Sequence, residues 1–127
     1  NSILYKADKK IIFNNIDILK NIPNQTFDIV ISNPPYIAKD EVATLQKEII
    51  LYEPISSITD HNDGLTFYRR YERIYNKIIN KNGTLIIEFG GEKHVEPIKN
   101  IFTYQKYNIT FYNDLYDTIR FAEIQLK

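Results

Sequence analysis

The chain has 127 residues, about one domain's length, of which 43% are hydrophobic and 25% charged, a composition that suits a globular domain and argues against a disordered one. Sixteen Lys and Arg balance sixteen Asp and Glu, so net charge marks neither a nucleic-acid nor a membrane partner. There is no cysteine, which excludes a disulfide framework, thiolate zinc ligands and a cysteine nucleophile; no apolar run could span a bilayer and no signal peptide is visible, so a cytoplasmic location is expected.

The first predicted element is a short strand, Ile11 to Asn14, leading into a loop that contains Asp17. A polar connection with Pro23 follows. The run "TFDIVIS" ending at Ser32 does not alternate apolar with polar residues, so it reads as a strand buried on both faces. It stops at Asn33-Pro34-Pro35-Tyr36, because each proline lacks an amide donor and has a fixed φ. "KDEVATLQKEII" reads as a helix with Asp40 as N-cap and Val42, Leu45 and Ile49 on one face. "YEPISSITDHND" is irregular. A long helix follows Gly64, with Gly83 placed to end or follow it. "TLIIEF" is a second buried-looking strand that runs into Gly90-Gly91. A helix from about Val95 to Tyr104 tolerates Pro97 only in its first turn. Two strands, "YNITFY" and "TIRFAEIQL", joined by "NDLYD", suit antiparallel neighbours.

Strand–helix alternation predicts an α/β fold with a mostly parallel sheet, finished by an antiparallel pair. In open α/β sheets ligands gather at the carboxyl ends of strands. Both Asn33-Pro34-Pro35-Tyr36 and Glu88-Phe89-Gly90-Gly91 sit at such ends. The first corner offers an amide on Asn33, a carbonyl on Pro34 held extended by Pro35, and a flat ring on Tyr36. Two acceptors on a rigid corner can take both hydrogens of one planar NH₂ group, drawing electron density onto its nitrogen. The alternative is a plain loop after a strand.

"FDIVISNPPYI" resembles the catalytic motif of amino-methyltransferases that act on adenine N6 or glutamine N5. "YEPISSI", "DGLTFYRR", "NGTLIIEFG" and "NDLYDTIRFA" follow in the order and spacing of the HemK/PrmC family, so that the resemblance covers nearly the whole chain. It implies a Rossmann-like fold, S-adenosyl-L-methionine as methyl donor, and as substrate the Gly-Gly-Gln glutamine of peptide chain release factors. By position, Asn33, Pro34, Pro35 and Tyr36 would hold the substrate amide, with Asn33, Pro34 and Tyr36 in the catalytic role and Asn33 also beside the donor. Asp17 and Ile18 stand where the family has an Asp-aromatic pair next to the donor's adenine. No metal is implied.

The chain departs from the family in two respects: Ile18 replaces the aromatic and would pack on the adenine but stack less well, and the glycine pattern differs. Its four glycines are Gly64, Gly83, Gly90 and Gly91, so no Gly-rich cofactor loop precedes the corner. There is also no methionine. The expectation is a partial methyltransferase domain over residues 1–127, lacking the N-terminal strands, the glycine loop and an N-terminal helical region. A strand edge left unpaired would favour instability, self-association or completion by a partner. Competing functions are adenine methylation, disfavoured by the neutral charge, and an inert interaction module.

Single residues carry further expectations. Glu53 is expected to order its loop, Arg120 to pair with Asp114 or Asp117, and Glu88 to shape the pocket. His61 and His94 read as exposed polar residues. Tyr68, Tyr71 and Tyr75 read as a core helix face and "RRYER" as a solvated one.

Overall fold

The computed structural model describes Leu4, Lys6 and residues 8–127. Its four strands are β1 (Phe27–Ser32), β2 (Ile79–Glu88), β3 (Tyr107–Asn113) and β4 (Ile119–Leu126), in the sheet order β1-β2-β4-β3. β1 runs parallel to β2, whereas β2–β4 and β4–β3 are antiparallel. The predicted mostly parallel sheet is therefore a mixed one among the described strands, with the expected antiparallel pair at the chain's end. Helices α1 (Lys47–Tyr52), α2 (Ile55–Ile58) and α3 (Thr66–Ile78) lie between β1 and β2, and α4 (Val95–Ile101) between β2 and β3. No helix among the described residues is long and apolar enough to cross a membrane.

One face of the sheet is covered. Leu85 and Ile87 of β2, Ala122 and Ile124 of β4 and Tyr107 of β3 pack with Tyr68, Ile74 and Ile78 of α3 and Ile98 of α4. α3 carries its apolar side chains at helical spacing, as read from the sequence, and its three tyrosines are buried as expected. Each ties its hydroxyl to the sheet. Tyr71 pairs with Ser32 Oγ at 2.7 Å, Tyr68 donates to the Glu88 carbonyl at 3.0 Å, and Tyr75 reaches the carbonyls of Gly83 and Ile124, both at 3.1 Å. Burial raises all three phenols above their usual pKa, which keeps them protonated. Helix α3 thus holds the carboxyl ends of β1 and β2 in fixed positions.

Several expectations are corrected. Ile11 to Asn14 form no strand, and Ile12 and Phe13 are 82% and 79% exposed. A strand needs a ladder partner for its amides, and no described strand lies beside this segment. β1 is not buried on both faces. It is an edge strand whose Val30 turns to the core while Ile29 and Ile31 remain 60% and 75% exposed. Asp40 is not an N-cap. Lys39–Thr44 is a 3-10 turn entered from Ala38, and α1 begins separately at Lys47. The Thr44 hydroxyl bonds back to the Glu41 carbonyl at 2.7 Å, a local bond that competes with helix continuation. "YEPISSITDHND" contains the short helix α2.

Gly83 does not end α3, which passes straight into β2 at the β-branched Ile79. Inside β2, a Cβ on Gly83 would lie 2.8 Å from the Asp28 carbonyl, so this glycine permits close approach of β1. α4 stops at Ile101, short of Tyr104, with Pro97 in its first turn. The mixed sheet with helices is a partial Rossmann-like fold.

Candidate functional site

The site is built where β1 ends. Asn33 is exposed, Pro34 buried, and Pro35, Tyr36 and Ile37 half-buried. Beyond the prolines the chain is stitched to the segment before α3. The Ile37 amide donates to the Ile58 carbonyl at 3.1 Å and the Lys39 amide to the Asn62 carbonyl at 2.8 Å, and Ile37 forms a parallel bridge with Thr59. That segment is itself organised by Asp60. Its carboxylate accepts the amides of Asn62 at 2.9 Å, Gly64 at 3.0 Å and Thr66 at 2.9 Å, the last at the start of α3. Burial raises the Asp60 pKa, but the bonds from Thr66, Asn62 and Gly64 outweigh it and hold the carboxyl below its usual 3.8. Asp63 next to it receives both guanidinium nitrogens of Arg69, which brings its pKa down to about 2.

Two glycines make room for Tyr36. A Cβ on Gly64, at φ +78°, would stand 2.5 Å from the Tyr36 carbonyl oxygen. A Cβ on Gly90 would stand 3.0 Å from the Tyr36 ring and 2.9 Å from His94 Cε1. The sequence blocks "DGLTF" and "EFGG" therefore both close on the corner, the first on the Tyr36 backbone and the second on its ring. Arg120 completes the frame, with its guanidinium 6.0 Å from the Tyr36 ring centroid, 3.8 Å from Asp114 and 3.4 Å from the Phe89 carbonyl. Pairing with Asp114 is one of the two partners expected for it.

His94 departs from expectation: it is 5% exposed, whereas His61 is exposed as expected. Its Nε2 lies 3.2 Å from the Tyr36 carbonyl, and Nδ1 has no hydrogen-bond partner among the described residues. Burial lowers its pKa below the usual 6.5. A lone histidine carries no local signal of burial, because the groups that cover it come from elsewhere in the chain.

A cavity of about 270 Å³ opens on the corner, lined by Asn33 to Ile37 and by Leu45, Ile49, Glu53, Ser57 and Ile58. Among the described residues the side chains of Asn33 and Glu53 make no hydrogen bond. Glu53 is exposed on this cavity and orders its loop through no such bond. The structure brings Asn33, Pro34, Pro35 and Tyr36 together here, and it does not bring Asp17 or Ile18 into the same cavity. Asp17 caps its own turn, accepting the Leu19 amide at 3.0 Å and Lys20 Nζ at 3.0 Å. The Ile18 carbonyl accepts Arg70 Nε at 2.8 Å. The residues of "RRYER" are less solvated than expected. Besides Arg69 and Arg70, Glu72 takes Lys106 Nζ at 2.7 Å and the Tyr107 hydroxyl at 3.1 Å.

The cavity falls below the roughly 300–1,000 Å³ of sites that enclose a whole drug-sized ligand. Asp17, bound to Lys20 and the Leu19 amide, lies outside this cavity.

The chain matches the family model described as Eco57I restriction-modification methylase over residues 2–89. It is 31% identical to the release factor glutamine methyltransferase of Flavobacterium psychrophilum over 98% of this chain and 47% of that protein. It is 33% identical to a bifunctional methyltransferase of Rickettsia felis over 91% of this chain and 22% of that one. With the release factor glutamine methyltransferase of Clostridium acetobutylicum it shares 40% identity over 61% of this chain and 27% of that protein. The chain spans about half the length, or less, of these curated relatives. A methylase model that covers more than half of the chain, and a release factor glutamine methyltransferase 31% identical over 98% of it, mean that the chain belongs to the HemK/PrmC family of methyltransferases.

Proposed function

We propose that this chain forms the acceptor side of an S-adenosyl-L-methionine-dependent methyltransferase that modifies the glutamine amide of the Gly-Gly-Gln loop in peptide chain release factors. The observation that carries the reading is Asn33, an exposed amide without a hydrogen-bond partner among the described residues, on a doubly braced corner that faces a cavity of about 270 Å³. Asn33 Oδ1 and the Pro34 carbonyl accept the two N–H bonds of the substrate NH₂, and Tyr36 and Ile58 border its aliphatic part. Taking both hydrogens fixes the plane of the amide and enriches its weakly basic nitrogen. When bound, the donor supplies an electrophilic methyl group. The names of the Flavobacterium and Clostridium relatives support release factors as the substrate.

Calorimetric titration of a Gly-Gly-Gln peptide and its Gly-Gly-Glu counterpart into the chain tests this reading. The amide peptide is expected to bind at least about tenfold tighter, because the carboxylate has no hydrogens for two acceptors. Equal affinities would contradict it.

Adenine N6 methylation is a second reading, favoured by the match to the Eco57I methylase model. Adenine also presents a planar NH₂ group. The neutral net charge disfavours it, since phosphate contacts carry nucleic-acid affinity. Salt-dependent binding of an adenine-containing oligonucleotide, with none of the peptide, would select this reading instead. A folded chain that binds neither would be an interaction module.

A further inference from the structure

We infer that His94 is a positioning residue for the corner: its Nε2–H fixes the Tyr36 carbonyl and, through the stiff Pro34-Pro35 link, the direction in which Asn33 and Pro34 present their acceptors. The inference rests on the reading of the corner as an amide site.

A carbonyl oxygen can only accept, so the imidazole nitrogen facing Tyr36 at 3.2 Å carries the proton. In the neutral ring Nδ1 is then a bare acceptor, and it is buried without a partner among the described residues. Buried polar atoms are normally paired, and an orphan one is destabilising. The surroundings offer it little. The rings of Tyr36, Tyr68 and Phe89 lie around His94 at centroid distances of 6.0, 6.3 and 6.4 Å. A phenylalanine would fill this space with no orphan atom. What the imidazole alone supplies is the Nε2–H.

The oxygen that takes this bond also depends on a glycine. A Cβ on Gly64 would stand 2.5 Å from it, and a Cβ on Gly90 would stand 2.9 Å from His94 Cε1 and 3.0 Å from the Tyr36 ring, so both glycines leave the space this arrangement needs. Protonation would add a second N–H at Nδ1 with nothing to accept it. Of the charged groups facing the ring, Lys93 from its own turn and Arg120 from β4 oppose that charge, whereas Glu41 from the 3-10 turn favours it. The phenol of Tyr68 on α3 stays neutral.

The test uses the whole 127-residue chain with ¹⁵N-labelled histidine. The wild type is expected to show His94 as the neutral Nε2–H tautomer at pH 7, and the Nδ1–H tautomer would overturn the inference with no variant needed. Hydrogen exchange at the Ile37 amide is expected to accelerate about tenfold in His94→Phe, the loss of one buried hydrogen bond. His94→Gln, whose Nε2–H can reach the same carbonyl, is expected to restore it. Affinity for the Gly-Gly-Gln peptide is expected to follow the same order. The Ile37 amide resonance should also move as the imidazole titrates below pH 6.5 in the wild type and stay still in His94→Gln. Unchanged exchange and unchanged affinity in a folded His94→Phe would overturn the inference. If the wild type binds no peptide while exchange responds as stated, the amide-site reading fails and the hold on Tyr36 stands.

Discussion

Replacing Gly64 with alanine tests how the corner is braced. The new Cβ would stand 2.5 Å from the Tyr36 carbonyl oxygen, 3.2 Å from its carbon and 3.3 Å from the Ala38 nitrogen. All three are backbone atoms, so no rotamer change relieves the contact. A left-handed φ of +78° costs alanine about 1–2 kcal/mol. Moving the carbonyl aside weakens its bond from His94 or the nearby Lys39–Asn62 bond, about 1 kcal/mol more. The reduced entropy of the unfolded alanine chain offsets about 0.7 kcal/mol. Destabilisation of about 2 kcal/mol is the result. With a urea slope of about 1.5 kcal/mol/M, the unfolding midpoint should fall by about 1 M or more. Because Gly64 and His94 act on the same oxygen, Gly64→Ala and His94→Phe should couple by more than about 0.5 kcal/mol in a double-mutant cycle. A midpoint shift below about 0.3 M, together with additivity, would refute the picture of one carbonyl that both takes the His94 bond and needs the space at Gly64.

Asn33→Ala should abolish the preference for the glutamine peptide over the glutamate one while leaving the urea midpoint within about 0.3 M of wild type, since the side chain is exposed; a calorimetric comparison that shows the preference intact would remove Asn33 from the site. Acid should weaken the fold in two stages. The pKa of His94 is lower folded than the unfolded 6.5, so its contribution is complete above that pH and fades as pH falls below it, and His94→Phe should erase this stage. Asp60 and Asp63 lie below 3.8 when folded, Asp63 at about 2, so their contribution is present above 3.8 and fades towards 2. Asp60→Asn should reduce that second stage in pH-dependent urea titrations, and its persistence would reassign the cap. Ile29→Lys with Ile31→Lys should lower self-association measured by sedimentation, because charge on an exposed edge strand opposes pairing; a wild-type chain that remains a monomer at every concentration would refute pairing through β1.

The elements that were legible in the sequence are those whose cause is local. Pro34 and Pro35 end β1 because neither can donate to a ladder, whatever surrounds them. α3 shows its buried face in the spacing of Tyr68, Tyr71, Ile74, Tyr75 and Ile78, and the closing hairpin shows itself in two β-rich runs around a polar turn. The break between Thr44 and Lys47 was hidden because the spacing of Val42, Leu45 and Ile49 continues across it, although the backbone leaves the helical region at Leu45 and Gln46. The exposure of Ile29 and Ile31 was hidden too, since an apolar run cannot tell an edge strand from a central one.

The sequence by itself determined a stiff Asn-Pro-Pro-Tyr corner at a strand end and the family to which it belongs. Only the tertiary structure decided what holds that corner. His94 reaches Tyr36 across 58 positions of chain, and Gly64 and Gly90 leave room for its carbonyl and its ring. Asp60 collects amides that no capping pattern pairs with it. Propensity and spacing act over a few residues, whereas burial and hydrogen bonds of this range exist only once the chain has folded back on itself.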